Sequence, residues 1–406
     1  MSDAALYDAA PPRQNRFTAW RDGFWLNQML RIASGVRYGS LRIAAPDGRA
    51  WRFGGGEGPC VEITLSQPSA VARALLRGGP VGFADAYIDG LWRCDDLPAL
   101  IEIVARNEPA LSAGMQGGWL ASALNRLVHL FNANTRRGSR RNIAFHYDLG
   151  NDFFAAWLDG GMQYSSALYA APGMSLEAAQ AAKLDRVADL LDLRDGCRVL
   201  EIGCGWGALA ERLTQAGARV TGLTLSKEQL AYAQKRLGGQ ADLRLQDYRD
   251  ADGVFDRIVS IEMIEAVGEE NWPRYFAALR DRLVPGGVAV LQSIVIDDAR
   301  FDNYRRHCDF IQRRVFPGGM LPSPSAIARH AAAAGFVVDH VEMFGASYAE
   351  TLAEWRRRFL RAWPQIAALG FDERFARLWE YYLAYCEGGF RAASIDVGFW
   401  RLRRES

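Results

Sequence analysis

Residues Arg198-Val-Leu-Glu-Ile-Gly-Cys-Gly-Trp-Gly207 decide how this chain is organised. A short apolar run ends in an acid, Glu201, and then in three glycines at alternate positions. An apolar run of this length between turn signals reads as a buried strand. Glycine tolerates the dihedrals of a sharp turn and lets backbone approach a ligand closely. Working outward, a helix to Ala216 is followed by strand Ala218–Leu223, helix Lys227–Leu237 and strand Leu243–Leu245. Strand Arg257–Ile261, helix Trp272–Leu283 and strand Gly287–Val295 come next, and helix Lys183–Leu191 precedes the quoted run. This alternation predicts an α/β fold with an open, mostly parallel sheet and helices on both faces. A ligand is expected beyond the carboxyl ends of the strands, where the strand order reverses.

The glycines stand at 203, 205 and 207, which is not the G-x-G-x-x-G spacing of dinucleotide enzymes. The second strand ends Thr221-Gly-Leu-Thr-Leu-Ser226, without the acid that usually binds ribose hydroxyls there. Glu201, Gly203, Cys204, Gly205 and Gly207 therefore read as the S-adenosyl-L-methionine (SAM) loop of a Rossmann-like class I methyltransferase. Thr224 and Gln229 are expected on the ribose side. Asp247 and Tyr248, after the third strand, suit the adenine; Asp247 has the alternative role of capping a turn.

Composition bounds the rest. The 406 residues carry 48 basic and 47 acidic side chains, so no chain-wide nucleic-acid-binding field is expected. Only three of the basic residues are lysines. No apolar run is long enough to span a bilayer and no signal-peptide pattern is evident, so any lipid contact is expected to be peripheral. The six cysteines are scattered without a C-x-x-C pair, which argues against zinc or a disulfide framework and for a reducing cytoplasm. Residues 1–111 read as a small N-terminal α+β domain. It has strands at Leu41–Ile43 and Val61–Leu65, a Pro46-Asp-Gly turn, and short helices around Gly78-Gly79-Pro80. Residues 112–142 form a linker whose helix Trp119–Phe131 carries an apolar stripe beside Arg136, Arg137, Arg140 and Arg141. Such a stripe either packs between domains or docks on an anionic membrane surface. The methyltransferase domain occupies 143–406, with a lid-like insertion at about 297–325 rich in aromatics (Phe301, Tyr304, Phe310, Phe316) and arginines.

From about residue 60 to 400 the chain resembles the cyclopropane-fatty-acyl-phospholipid synthases and mycolic acid cyclopropane synthases. The resemblance rests on His146-Tyr-Asp-Leu-Gly-Asn-Asp-Phe-Phe154, Met162-Gln-Tyr-Ser-Ser166, Val199–Gly207, Thr224–Gln229, Gln246–Asp250 and Asp256–Val267. It continues through Phe316–Ser323, Trp355–Trp363, Tyr381–Phe390 and, near the N-terminus, Gly82–Leu97. It implies SAM as cofactor, with Tyr147, Tyr164 and Ser165 among its contacts, Leu225 beside the ribose and Arg249 beside the adenine. The substrate it implies is an unsaturated acyl chain of a membrane phospholipid. Cys386 matches the cysteine often marked as the family's active site; on its own it reads as a buried helical thiol.

In that family a bound bicarbonate is the base, held by Cys, Glu, His and Tyr. Here those positions are Ser166, Glu265, Gln292 and Arg314, and Ala266 replaces a further histidine. Glu262 stands where relatives usually carry Gly. The resemblance with these departures points to a protein carboxylate as base, Glu265 first, with Glu262 and Arg314 either part of that site or a structural ion pair. The reaction expected is methylation of an acyl double bond, giving a cyclopropane or a methyl- or methylene-branched chain. The competing readings are a methyltransferase for a soluble small molecule and an inert SAM-binding lipid sensor. A cytoplasmic enzyme peripheral to the inner face of the membrane is expected, and relatives suggest a homodimer.

Overall fold

The computed structural model describes residues 16–114, 149–306 and 308–405. The expected helix Trp119–Phe131, the arginines at 136–141 and Tyr147 lie outside the described residues. The first stretch holds helix α1 (Arg16–Ala33), strands β1 (Ser40–Ala44), β2 (Ala50–Gly54) and β3 (Cys60–Leu65), then helix α2 (Pro68–Ile88). Strand β4 (Trp92–Cys94) and helices α3 (Leu97–Arg106) and α4 (Glu108–Gly114) complete it. Its sheet has the order β2-β1-β3-β4, with β1 and β3 parallel. Gly79 has φ 59°, and with Pro80 it breaks α2 into two pieces, as the Gly-Gly-Pro run predicts. Strand β4 was not expected. It has only three residues, too few for alternation to show, and it is held by Trp92, fully buried and stacked on Phe83 at 4.3 Å.

The second stretch opens with α5 (Asn151–Ala155) and α6 (Leu176–Leu191). Helix α6 begins about two turns before the expected Lys183, because Ser175 caps it by accepting from Ala178 N at 3.2 Å. Then come β5 (Arg198–Ile202), α7 (Ala208–Gln215), β6 (Arg219–Thr224), α8 (Lys227–Leu237), β7 (Asp242–Leu245) and β8 (Phe255–Ile261). Helix α9 (Trp272–Arg282), strand β9 (Leu283–Ile296), α10 (Asp298–Tyr304), α11 (Phe310–Arg314) and α12 (Pro324–Ala333) follow. The chain ends with β10 (Phe336–Met343), the long helices α13 (Gly345–Ala367) and α14 (Glu373–Arg391), and β11 (Ile395–Arg404).

The seven-stranded sheet runs β10-β11-β9-β8-β5-β6-β7. Strands β5 to β9 pair in parallel, and β10 and β11 add antiparallel pairings at one side. Strands β5, β8 and β9 are buried on both faces, which is why they read as near-continuous apolar runs. The order reverses between β5 and β8, so a crevice is expected at their carboxyl ends. Helix α14 covers that end and packs on α2, α3 and α13. It approaches α3 so closely that a Cβ on Gly388 would lie 2.6 Å from Cβ of Ile101. Tyr87 donates to Glu380 at 2.9 Å and Arg377 to the carbonyl of Ile88 at 2.7 Å, joining the two stretches across this face.

The insertion between β9 and β10 departs from expectation in part. Phe301 stacks on Trp272 at 6.2 Å in a buried cluster, and the Tyr304 hydroxyl accepts from Gln312 and Leu321 N, each at 3.4 Å. Phe301 anchors the segment to α9 and Tyr304 ties the insertion to itself, instead of the two rings facing an acyl chain. Phe310 and Phe316 do face α14, at 4.8 Å from Tyr381 and 6.1 Å from Tyr382.

Candidate active site

The glycine loop follows β5. Gly203, Gly205 and Gly207 all have positive φ (87°, 52° and 86°). A Cβ on Gly207 would meet Ala233 and Leu237 of α8 at 3.0 and 2.9 Å, so that glycine serves helix packing. A Cβ on Gly205 would meet nothing within 4 Å, so that glycine leaves space over the loop. Glu201 and Cys204 are buried. Burial pushes Glu201 up to about 8, and its Oε2 has no hydrogen-bond partner among the described residues. At the end of β6, Thr224 Oγ1 donates to Gln229 Oε1 at 3.0 Å and accepts from Ser226 N; Leu225 is half-buried beside them.

After β7, Asp247 accepts from Arg249 N at 3.0 Å, capping a 3-10 turn, and forms a two-point ion pair with the Arg249 guanidinium at 2.6 and 2.8 Å. The capping role is thus the one on view. Tyr248 lies edge-on to Tyr275 at 5.5 Å.

The loop after β8 brings the two glutamates in. Glu262 has φ 49°, a left-handed conformation that a side chain makes costly. That strain accounts for the glycine the resemblance expects here, and the glutamate is present in spite of it. Its Oε1 accepts from Ser166 N at 2.9 Å and Gln292 Nε2 at 2.7 Å, and its Oε2 from the Tyr348 hydroxyl at 2.7 Å. Burial raises its pKa; the Ser166 N–H, the Tyr348 hydroxyl, the Lys183 charge and the Gln292 amide act against that rise. Glu265 is held differently. Its Oε1 accepts from Ile294 N at 2.6 Å and Ser293 Oγ at 3.1 Å, and its buried Oε2 has no partner among the described residues. Burial, and then the neighbouring Glu262 charge, push Glu265 up to about 8.

Glu265 is therefore expected to make the fold lose stability on the alkaline side. Its folded pKa lies above the ordinary carboxylate value, so its contribution is present at low pH and lost as pH rises toward 8. Glu265→Gln removes that loss. The melting temperatures of the variant and wild type should separate progressively from about pH 4.5 to 8 and diverge no further above that, with the variant gaining by at least a few degrees. Parallel curves would contradict a buried, protonated Glu265.

Aromatic side chains line the opposite wall. The Tyr164 and Tyr382 hydroxyls meet at 2.7 Å, Tyr164 packs on Trp355 at 5.3 Å, and Tyr348 on Phe390 at 4.6 Å. Cys386 lies in this wall, and burial raises its thiol well above the usual range, so it stays neutral.

Arg314 is not part of this cluster. Its guanidinium makes a two-point ion pair with Asp85 of α2, at 2.9 and 2.7 Å, with its side chain 46% exposed. The expected pairing of Glu262 with Arg314 is corrected accordingly. A solvated partner spares the arginine the desolvation that the buried carboxylates would demand. The cation near the glutamates is Lys183, which the sequence reading passed over as an ordinary helix residue. It is 2% exposed and donates to Ser165 Oγ at 2.8 Å. A signal was available: Leu176, Ala179, Gln180, Lys183, Leu184 and Val187 share the buried face of α6, where a lysine is out of place.

A sheet reversing at β5, a glycine loop there and polar groups at the ends of β6, β7 and β8 define a class I SAM-dependent methyltransferase. The chain belongs to the mycolic acid cyclopropane synthetase family, whose pattern it matches over residues 134–400. It is 40% identical over 381 residues to the tuberculostearic acid methyltransferase of Mycobacterium tuberculosis, covering 90% of this chain and 88% of that one. It is 38% identical over 357 residues to the cyclopropane-fatty-acyl-phospholipid synthase of Escherichia coli, covering 84% and 87%. Among solved structures, the mycolic acid cyclopropane synthase CmaA1 complexed with SAH and CTAB superposes with a TM-score of 0.61 at 32% identity, over 65% of this chain and 98% of that one. The enzyme's cofactor is SAM.

Proposed function

We propose that this enzyme methylates a cis double bond within an acyl chain of a membrane phospholipid, with Glu262 as a built-in base and a methylene-branched chain as product. The observation that carries this reading is the set of donors on the Glu262 carboxylate. Two of them, Ser166 N–H and Gln292 Nε2, come from positions at which the family resemblance expects bicarbonate ligands. The carboxylate thus takes the place of the external base. The sequence alone favours Glu265, but Glu265 is pushed up to about 8 and is mostly protonated at neutral pH, so it is poorly placed to accept a proton. Glu262 has three donors that favour its charged form.

The residues present fit SAM. The open space over Gly205 admits a ligand close to backbone, and the buried, unpartnered Glu201 Oε2 awaits a donor. Gly203, Cys204 and Gly207 would shape the loop side of its pocket, Tyr164 and Ser165 the side facing the substrate, Thr224, Leu225 and Gln229 the ribose side, and Tyr248 the adenine face. Asp247 and Arg249, occupied with each other, would support Tyr248. When bound, SAM supplies an electrophilic methyl group on a positive sulfonium.

The protein's part is to hold the alkene in line, shield the cation and take a proton. The rings of Tyr164, Tyr348, Trp355, Tyr382 and Phe316 present π faces, each worth about 0.5–2 kcal/mol to a nearby cation. After methyl transfer the positive charge lies on the far alkene carbon, and a 1,2-hydride shift moves it to the more substituted carbon. Glu262 then takes a proton from the new methyl group. The electron pair of that C–H bond forms a methylene double bond; without the shift it would close a ring. Cys386 lines the chain as a neutral group.

A methyltransferase among the relatives, at 40% identity over nine-tenths of the chain, favours the branched outcome. The test is to express the gene in a host with unsaturated phospholipids and analyse its fatty acids. Methylene and cyclopropane products have the same mass, but mild hydrogenation adds hydrogen only to the methylene. A product of that mass that resists hydrogenation would be a cyclopropane and would reject the branched assignment, and unaltered lipids would reject the substrate.

We also place the enzyme on the cytoplasmic membrane surface. No helix among the described residues is long and apolar enough to cross a membrane. Arg305 and Arg306 are exposed on the insertion, although Arg305 also pairs with Glu269 at 2.5 Å. Reversing both charges should weaken binding to anionic vesicles at low salt, with the difference fading as salt screens it. Equal vesicle binding of variant and wild type at low salt would remove these arginines from the contact.

A further inference from the structure

We propose that Lys183 is a positioning residue for the base: its ammonium grips Ser165 and holds the Glu262 carboxylate in its charged form. This rests on the reading of Glu262 as base. Helix α6 takes hold of the 163–166 segment at two points one turn apart. Gln180 Nε2 donates to the carbonyl of Ser165 at 3.0 Å, and Lys183 Nζ donates to its hydroxyl at 2.8 Å. The next residue, Ser166, offers its N–H to Glu262 Oε1. The preceding one, Tyr164, meets Tyr382. A shift of this segment would therefore move a donor of the base and a ring of the aromatic wall together.

The charges around Lys183 explain why a cation is tolerated there. The carboxylates of Glu262, from the loop after β8, and Asp159, from the turn after α5, act on it; Glu201 of β5, pushed up to about 8, adds its pull only when ionised. Burial lowers Lys183 to about 8, against the pull of these carboxylates, so it is cationic at neutral pH. The groups facing Glu262 are Ser166, Gln292 on β9, Tyr348 on α13, Tyr382 and Cys386 on α14, and Glu265 on its own loop. Glu265 raises the pKa of its neighbour when charged, and the hydroxyls and thiol are neutral. Among the groups that act on Glu262, Lys183 is the one that carries positive charge. Removing one partner from a buried set of charges leaves the others uncompensated.

The experiment is the pH profile of kcat/KM for wild type, Lys183→Met, Lys183→Arg and Glu262→Gln, with folding checked by circular dichroism. In Lys183→Met the acid limb should move up by about one pH unit or more, since loss of a nearby opposite charge raises a carboxylate pKa by that order. Activity below the limb should then fall about tenfold for each unit. Lys183→Arg should restore the acid limb, because arginine keeps the positive charge. A merely structural lysine would lower the melting temperature and leave the acid limb in place. If folded Lys183→Met keeps the wild-type acid limb while Glu262→Gln is inactive, the inference about Lys183 falls and the base stands. If Glu262→Gln keeps full turnover, both fall. Should Lys183→Met fail to fold, Lys183→Gln takes its place, and an acid limb that stays at its wild-type position in that folded variant overturns the proposal.

Discussion

Glu262→Gln should lower turnover by about 10²–10⁴-fold, the usual cost of a lost general base, while SAM affinity changes little. The substitution keeps the shape of the side chain. Its amide oxygen still accepts from Ser166 N and Gln292 Nε2, and its amide nitrogen faces a Tyr348 hydroxyl free to turn and accept. What is lost is the capacity to take a proton. Glu265→Gln should cost far less, because Glu265 is already mostly protonated at neutral pH. The same assay measures bicarbonate dependence. Wild-type turnover should survive in bicarbonate-depleted buffer, and added bicarbonate should not rescue Glu262→Gln. If wild-type activity collapses on depletion and recovers on addition, the external base is still in use. If Glu265→Gln is the more damaging variant, the first expectation from sequence stands and the geometric argument for Glu262 fails.

Gly205→Val should abolish measurable SAM binding and leave the fold intact. At φ 52° a β-branched residue costs about 1–3 kcal/mol of backbone strain, and its methyl groups enter the space that the loop keeps open. Nothing in the protein lies within 4 Å of the added Cβ, so the packing of the domain is not disturbed. Gly207→Val is the contrast. There the new side chain runs into Ala233 and Leu237, so the melting temperature should fall along with binding. Calorimetry of SAM binding beside a thermal melt separates the two. Unchanged affinity in a folded Gly205→Val protein would refute the loop assignment.

The residues that held up best in the sequence were those whose neighbours in space are also neighbours in the chain. Lys227–Leu237 is a helix over its predicted span, because Ser226 caps it by accepting from Gln229 N and Gly238 ends it at φ 56°. The glycine loop was legible for the same reason: strand, turn and helix follow one another without a break from Arg198 to Gln215. Arg314 was misplaced because its partner, Asp85, lies 229 positions away, and nothing local distinguishes a solvated ion pair from a buried one. Phe301 and Phe316 belong to one aromatic-rich segment, yet one anchors to α9 and the other faces α14; composition does not say which way a ring points.

The sequence by itself determined the parallel sheet, the place of the cofactor loop and the arrival of two carboxylates just after β8, since each follows from apolar periodicity and turn chemistry along one short stretch. Only the tertiary structure decided which carboxylate takes over the external base's hydrogen bonds and which cation attends it. Those choices depend on how β9, α6 and α13 bring Gln292, Lys183 and Tyr348 to one point. Burial then sets the charges there, and desolvation is a property of the packed interior that no single stretch of chain carries.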